Sequence, residues 1–229
     1  MAITEIGTPH QSAGWSTSVS DTHGITIAAG DVVVCYVSYV GNTTCADNNG
    51  AYPLTNDLNG SAISTSSAWY NFFTRTAGAS EPASYAFTLS GGNTNWWIVT
   101  RVFRGVDNAN HWDIISNNYA SSAFAFTTRA AASITTNYAG SLAIAHYYIN
   151  TNTQTFSGVD NSFGSGIVRS AAWPTCATYT KTITNVGAVG VTTATYGPTT
   201  DDWSGGGMVA LRMYAPGFTG LTVIRDVHA

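Results

Sequence analysis

Charge is what this chain lacks most. Asp, Glu, Lys and Arg make up 9% of its 229 residues, against about 25% in an average soluble domain; Gly, Ser, Thr and Asn fill the polar positions instead. Eight basic residues scattered through a chain of net charge -4 leave no stripe able to neutralise a phosphate backbone, so nucleic acid is excluded as an expected partner. Long apolar runs are also missing. The longest, residues 32–37 with Tyr39 and Val40 beyond, is far too short to span a bilayer, and the opening Met-Ala-Ile-Thr-Glu-Ile-Gly has neither the basic nor the apolar region of a secretory signal. The expectation is a protein made in a cytoplasm with no membrane partner. Cys35, Cys45 and Cys176 are odd in number and lack metal-ligand spacing, which argues against a disulfide framework or a redox site.

Helical stripes with caps are absent as well. Thr, Val, Tyr, Phe and Trp, which suit a pleated sheet, outweigh the residues that favour surface helices. Alternating or continuously apolar runs punctuated by Gly, Asn, Asp and Pro recur from end to end and predict strands at 24–28, 31–40, 68–76, 85–89, 96–104, 112–116, 121–127, 142–149, 177–184, 190–196 and 208–214. In residues 85–89 large side chains fall on one face and small ones on the other, as in a strand with one wet side. Residues 31–40 and 96–103 are apolar on both faces, which places them centrally beneath a second layer. Loops are predicted at 41–44, 47–50, 91–95, 107–110 and the triple glycine 205–207. The fold class expected is all-β, a two-sheet antiparallel β-sandwich.

The chain also carries a weak internal two-fold echo. Ile27-Ala28-Ala29-Gly30-Asp31-Val32-Val33-Val34 returns 110 residues later as Asn137-Tyr138-Ala139-Gly140-Ser141-Leu142-Ala143-Ile144, and Ile98-Val99 aligns with Met208-Val209 at the same offset. Two small domains or two halves of one sandwich would each produce it. The second is preferred, because each copy alone offers few strands and two open edges. Domain limits follow: an N-terminal arm and first strand over 1–19, a single sandwich over 20–214, and a C-terminal arm over 215–229.

Catalytic groupings are hard to find. His10, His23, His111, His146 and His228 include no pair spaced for one metal on one element, and His146 shares a strand face with Leu142, Ile144 and Tyr148, the pattern of a core or interface residue. His111-Trp112-Asp113 puts His and Asp on one face but has no nucleophile motif beside it. Only two glutamates, Glu5 and Glu81, are present, too few to suggest paired carboxylates across a cleft; Asp201-Asp202-Trp203 reads as a loop before the last core strand. The loops at 47–50 and 107–110 carry oxygen donors without the distal Glu of a calcium loop. No catalytic residue, cofactor or metal ligand is assigned, and the chain is read as non-enzymatic. Aromatics point elsewhere: with seven Trp and twelve Tyr, several rings in or beside loops (Trp15, Tyr52, Trp96, Trp173, Trp203) are candidates for stacking on a sugar or anchoring a protein interface.

The order of motifs resembles a known group. A Gly30-Asp31 turn enters an apolar strand, Trp69-Tyr70-Asn71-Phe72-Phe73-Thr74-Arg75 follows, then Glu81-Pro82, then Val102-Phe103-Arg104-Gly105-Val106-Asp107, a second Ala139-Gly140-Ser141-Leu142 and a closing Met208-Val209-Ala210-Leu211-Arg212. Over roughly residues 20–214 this resembles bacteriophage virion-surface β-sandwich proteins, the head decoration and tail-associated proteins. The resemblance implies a jelly-roll-like domain on the virion surface, a structural role as a capsid decoration or cement protein, and homo-oligomers, most simply trimers, bound to the major capsid protein or other virion proteins. The alternative it leaves open is a tail-associated receptor-binding or carbohydrate-binding module. Candidate interface or ligand contacts are Trp15, Trp173 and Trp203, with Phe218, Leu221, Val223 and Ile224 of the C-terminal arm, whose apolar side chains a lone sandwich would struggle to bury.

Overall fold

The computed structural model describes residues 2–41, 44–59, 68–115, 120–122, 127–149, 155–160, 162–169, 174–196 and 204–215. No helix occurs among them. The first half contributes β1 (Thr4–Glu5), β2 (His10–Ser16), β3 (Ser18–Thr22), β4 (Val32–Val40), β5 (Cys45–Asp47), β6 (Thr55–Asn59), β7 (Ala68–Thr76), β8 (Ser84–Leu89) and β9 (Thr94–Arg104). The second contributes β10 (Trp112–Ile114), β11 (Ala120–Ser122), β12 (Thr128–Ala131), β13 (Thr135–Thr136), β14 (Leu142–Ile149), β15 (Phe156–Val159), β16 (Gly164–Arg169), β17 (Thr175–Thr182), β18 (Gly187–Ala188), β19 (Thr192–Tyr196) and β20 (Ser204–Leu211).

The fold is all-β and sandwich-like, and the two halves repeat one topology. A large sheet runs β1-β9-β4-β7-β6 with β2 also on β9, and its counterpart runs β10-β20-β14-β17-β16 with β11 also on β20. A smaller sheet, β3-β8-β5 in the first half and β12-β19-β15 in the second, backs each large one. Strand β4 shows why the layers stack: it is apolar on both faces, so alternate side chains enter different cores. Val32, Val34 and Tyr36 meet Leu142, Ile144, Tyr148, Val209 and Leu211 in a core shared between the two large sheets. Val33, Cys35, Val37 and Tyr39 pack inward against Val19, Tyr85, Phe87 and Leu89 of the first half's small sheet. Ala143, Ala145, Tyr147 and Ile149 do the same in the second half. Four layers therefore share three cores, and the central one joins the two halves. The internal echo is real, with its register corrected. Val32 faces Phe103 and Leu142 faces Leu211, which equates Phe103 with Leu211 and moves the sequence alignment of β9 with β20 by two residues.

Three expectations change. Residues 205–207 are not a loop but part of β20, opposite Tyr148, Tyr147 and His146; a Cβ on Gly206 would sit 2.7 Å from the Ala130 carbonyl oxygen and 2.8 Å from the Tyr147 ring. Glycine is there for close approach, and Gly206→Ala is expected to cost about 2 kcal/mol through overpacking, read as a lower urea midpoint at unchanged m-value. Residues 24–28, expected as a strand, have no ladder partner. Residues 2–19, expected as an arm and first strand, are woven in: Ile3 is buried in the shared core, and β1 and β2 both pair with β9. The pattern of β2, small and polar apart from an outward-facing Trp15, hides an edge strand from periodicity.

Candidate interaction surface

Most ionisable side chains are consumed by architecture. At the entry to β4, Asp31 accepts the Ala28 N–H at 2.9 Å and a bidentate contact from Arg104 at 2.8 and 3.0 Å. Ser141 stands at the matching position of the second half, and Asp113 takes over the acceptor role, receiving the N–H groups of Asn137 and Tyr138 at 2.9 and 3.2 Å and the Ser141 hydroxyl at 2.7 Å. Arg212 pairs with Asp107 at 3.2 Å and lies over the Tyr138 ring. His111 and Asp113 therefore part company: His111 reaches back to the first half, its ring nitrogens 2.7 Å from the Thr74 hydroxyl and 2.9 Å from the Thr76 hydroxyl. Thr74 in turn donates to Asp57. Burial lowers the His111 pKa, with Asp57 and Asp107 opposing.

One buried guanidinium reaches from the first half to the second. Arg101 on β9 is 2% exposed, meets Glu5 at 2.8 Å, and donates to the Thr178 carbonyl and hydroxyl of β17 at 3.1 and 2.9 Å. Desolvation dominates at both ends, raising the Glu5 pKa and lowering that of Arg101, with their mutual attraction second. The bonds to Thr178 make Arg101 a polar tie between the two large sheets. Gln11 adds a second tie, accepting from Trp97 at 2.7 Å and donating to the Val168 carbonyl at 3.4 Å.

A cluster at one end of the first half brings together Ser, His and Asp without forming a relay. Buried Asp21 accepts from Nδ1 of His10 at 2.5 Å and from the Ser12 hydroxyl at 2.6 Å, both at the same oxygen. Ser12 spends its proton on the carboxylate and not on the imidazole, so it is not an activated nucleophile. His23, two residues on, stacks on Tyr85 with centroids 5.3 Å apart. Desolvation lowers its pKa, against the pull of Asp21. No such network was visible in the sequence, because His10 and Asp21 lie on strands of different sheets.

Of the predicted contact residues, Trp15 is 63% exposed. It lies on edge strand β2 opposite Asn95, while Gly14 beside it rests on the ring of Trp96, whose Nε1 donates to Ser16 at 3.0 Å. Trp96 is thus a packing residue, and Tyr52 lies under the Arg75 guanidinium. Trp173, Trp203, Phe218, Leu221, Val223 and Ile224 lie outside the described residues, as does Asp201-Asp202. Other exposed apolar side chains are Tyr138, Val186, Val191 and Tyr214. Asp47 accepts from Asn49 and from the Leu54 N–H, and Asp107 from the Ala109 N–H and Arg212, so both oxygen-rich loops use their carboxylates internally. Among the described residues no three His, Cys, Asp or Glu side chains converge on a metal position. The thiols are buried, and burial pushes Cys45 and Cys176 up to about 12 and Cys35 higher still, far from the thiolate a nucleophile needs. No family model, curated protein or solved structure matches this chain.

Proposed function

We propose that this chain is a non-enzymatic structural protein of a virion surface, a head decoration subunit that binds the assembled shell and stabilises it by mass action. The observation that carries the reading is how the fold uses its few charges. Of the eight basic residues, Arg75, Arg101, Arg104 and Arg212 are each paired with a carboxylate, and the outer strands present hydroxyls and amides. A surface of that kind suits broad polar contact with neighbouring protein subunits, where specificity comes from shape and hydrogen bonding in place of electrostatic steering. The major capsid protein is the partner this implies, with trimers as the simplest assembly. Gold-labelled antibody on particles of the source virus tests it: label spread over the head is expected. Label confined to the tail tip overturns the head assignment, and unlabelled particles overturn the virion reading.

Trp15 favours a second reading, in which the domain recognises a receptor saccharide on a tail. Its indole is exposed, and the backbone beneath it is held by other residues. Trp15→Ala is therefore expected to leave stability within about 0.5 kcal/mol of the parent while abolishing any glycan binding. A parent protein that binds nothing on a broad glycan panel removes this reading.

A further inference from the structure

The repeat supplies its own control for one unusual segment. In the second half, β13 and β18 zip together, Thr135 opposite Ala188 and Thr136 opposite Gly187, and the Val189 N–H continues the ladder to the Ile134 carbonyl. Matching the turns at Gly30 and Gly140, residues 25–26 occupy the place of β13. Here the zipper is open. His23 donates to the Ala83 carbonyl at 3.0 Å, and beyond it the backbone N–H groups of residues 24–27 meet no acceptor among the described residues. Pro82 on the facing segment has no N–H to give, and Glu81 is held away by Arg75, the Gly78 N–H and the Tyr85 hydroxyl. A cleft of about 470 Å³ separates the strap from residues 80–83, and another of about 490 Å³ opens on its far side beside residues 6–10.

The strap nonetheless has the alternation of a strand: Ile25 and Ile27 are half-buried against the first half's core, while Gly24, Thr26 and Ala28 are exposed. Unpaired edge backbone flanked by clefts is the acceptor of β-strand addition. The described chain ends at Ala215, next to Tyr214, which donates to the Gly105 carbonyl at 2.8 Å and borders the same recess as Gly30. That is three residues from Ile27. Ten further residues reach about 33 Å when extended, against about 20 Å from Gly30 back to Gly24.

We propose that residues 24–27 are the docking edge for the chain's own C-terminal segment, residues 219–225, added as an antiparallel strand. Pro216-Gly217 provides the turn, and in Leu221-Thr222-Val223 the two apolar side chains share a face that covers Ile25 and Ile27. A tether this short gives an effective concentration in the millimolar range, which favours the same chain over a second copy. The proposal is independent of the virion reading, since it concerns what completes the first half.

Hydrogen exchange of the full chain, followed by mass spectrometry, tests it. Amides of residues 24–27 are expected to be protected, independently of protein concentration, and to exchange at least tenfold faster when the chain stops after Ala215. Amides of Thr135 and Thr136 serve as the unchanged reference. Should the truncated chain fail to fold, the full-length double variant Leu221→Asp, Val223→Asp is expected to show the same local loss. Unprotected amides in the parent, or protection that survives both changes, overturn the proposal. Protection lost on dilution assigns the edge to a second copy and overturns the intramolecular form.

Discussion

Acidification from pH 7 to pH 4 is expected to remove about 3 kcal/mol of folding stability through His146 alone. This side chain is fully buried in the shared core, its ring 5.2 Å from Tyr36, 4.6 Å from Tyr70 and 5.2 Å from Phe72. Burial pushes its pKa down from 6.5 to about 3. The folded state therefore resists a proton that the unfolded chain accepts. That stability is whole above pH 6.5 and is lost at about 1.4 kcal/mol per pH unit as the pH falls toward 3. His23 and His111, also lowered by burial, act with the same sign, whereas Glu5, raised by burial, opposes them near pH 4.5 and above. Urea unfolding at pH 7, 6 and 5 measures the slope, and His146→Leu, which keeps the volume and removes the titration, should flatten it. An equal slope in the variant would place the acid sensitivity elsewhere.

Removing the buried cation between the halves should be the most damaging single change outside the apolar cores. Arg101→Ala leaves Glu5 without its guanidinium and the Thr178 carbonyl without its donor, a loss of about 3–5 kcal/mol. Because desolvation outweighs attraction at both ends, Arg101→Met combined with Glu5→Gln should recover much of that loss. The non-additivity of the double-mutant cycle is the signature of the pair. A loss below about 1 kcal/mol for Arg101→Ala would mean that the shared apolar core alone fixes the two sheets against each other.

How far the sequence could lead depended on which pattern a residue belonged to. β4 and β9 announced themselves because strands buried on both faces must be continuously apolar, and the same property implied layers above and below. Edge strand β2 stayed hidden: His10–Ser16 alternates in exposure but not in hydrophobicity. Residues 205–207 misled in the other direction, since glycine signals a turn by its conformational freedom, whereas Gly206 serves the opposing Tyr147 ring. Residues 24–28 carried the strand signal correctly in their side chains, but pairing depends on a partner, and Pro82 denies one. For the surface, aromatic content drew attention to Trp15 and Trp96 equally. What separates them is that Trp96 packs under Gly14 across the sheet, a contact that no local pattern encodes. The Asp21 cluster joins two strands that lie in different sheets, and sequence spacing gave no hint of it.

The three thiols are distributed in a way that makes them clocks for the order of opening. Cys35 and Cys45 lie in the inner core of the first half, and Cys176 in the core between the large sheets. None reacts while buried, so alkylation of the native protein reports the rare openings of whichever core holds the thiol. If the halves part before either one melts, Cys176 will be modified first and alone. If the body opens as one unit, all three will be modified at a common rate, and peptide mapping of a single slow labelling reaction would tell the two routes apart.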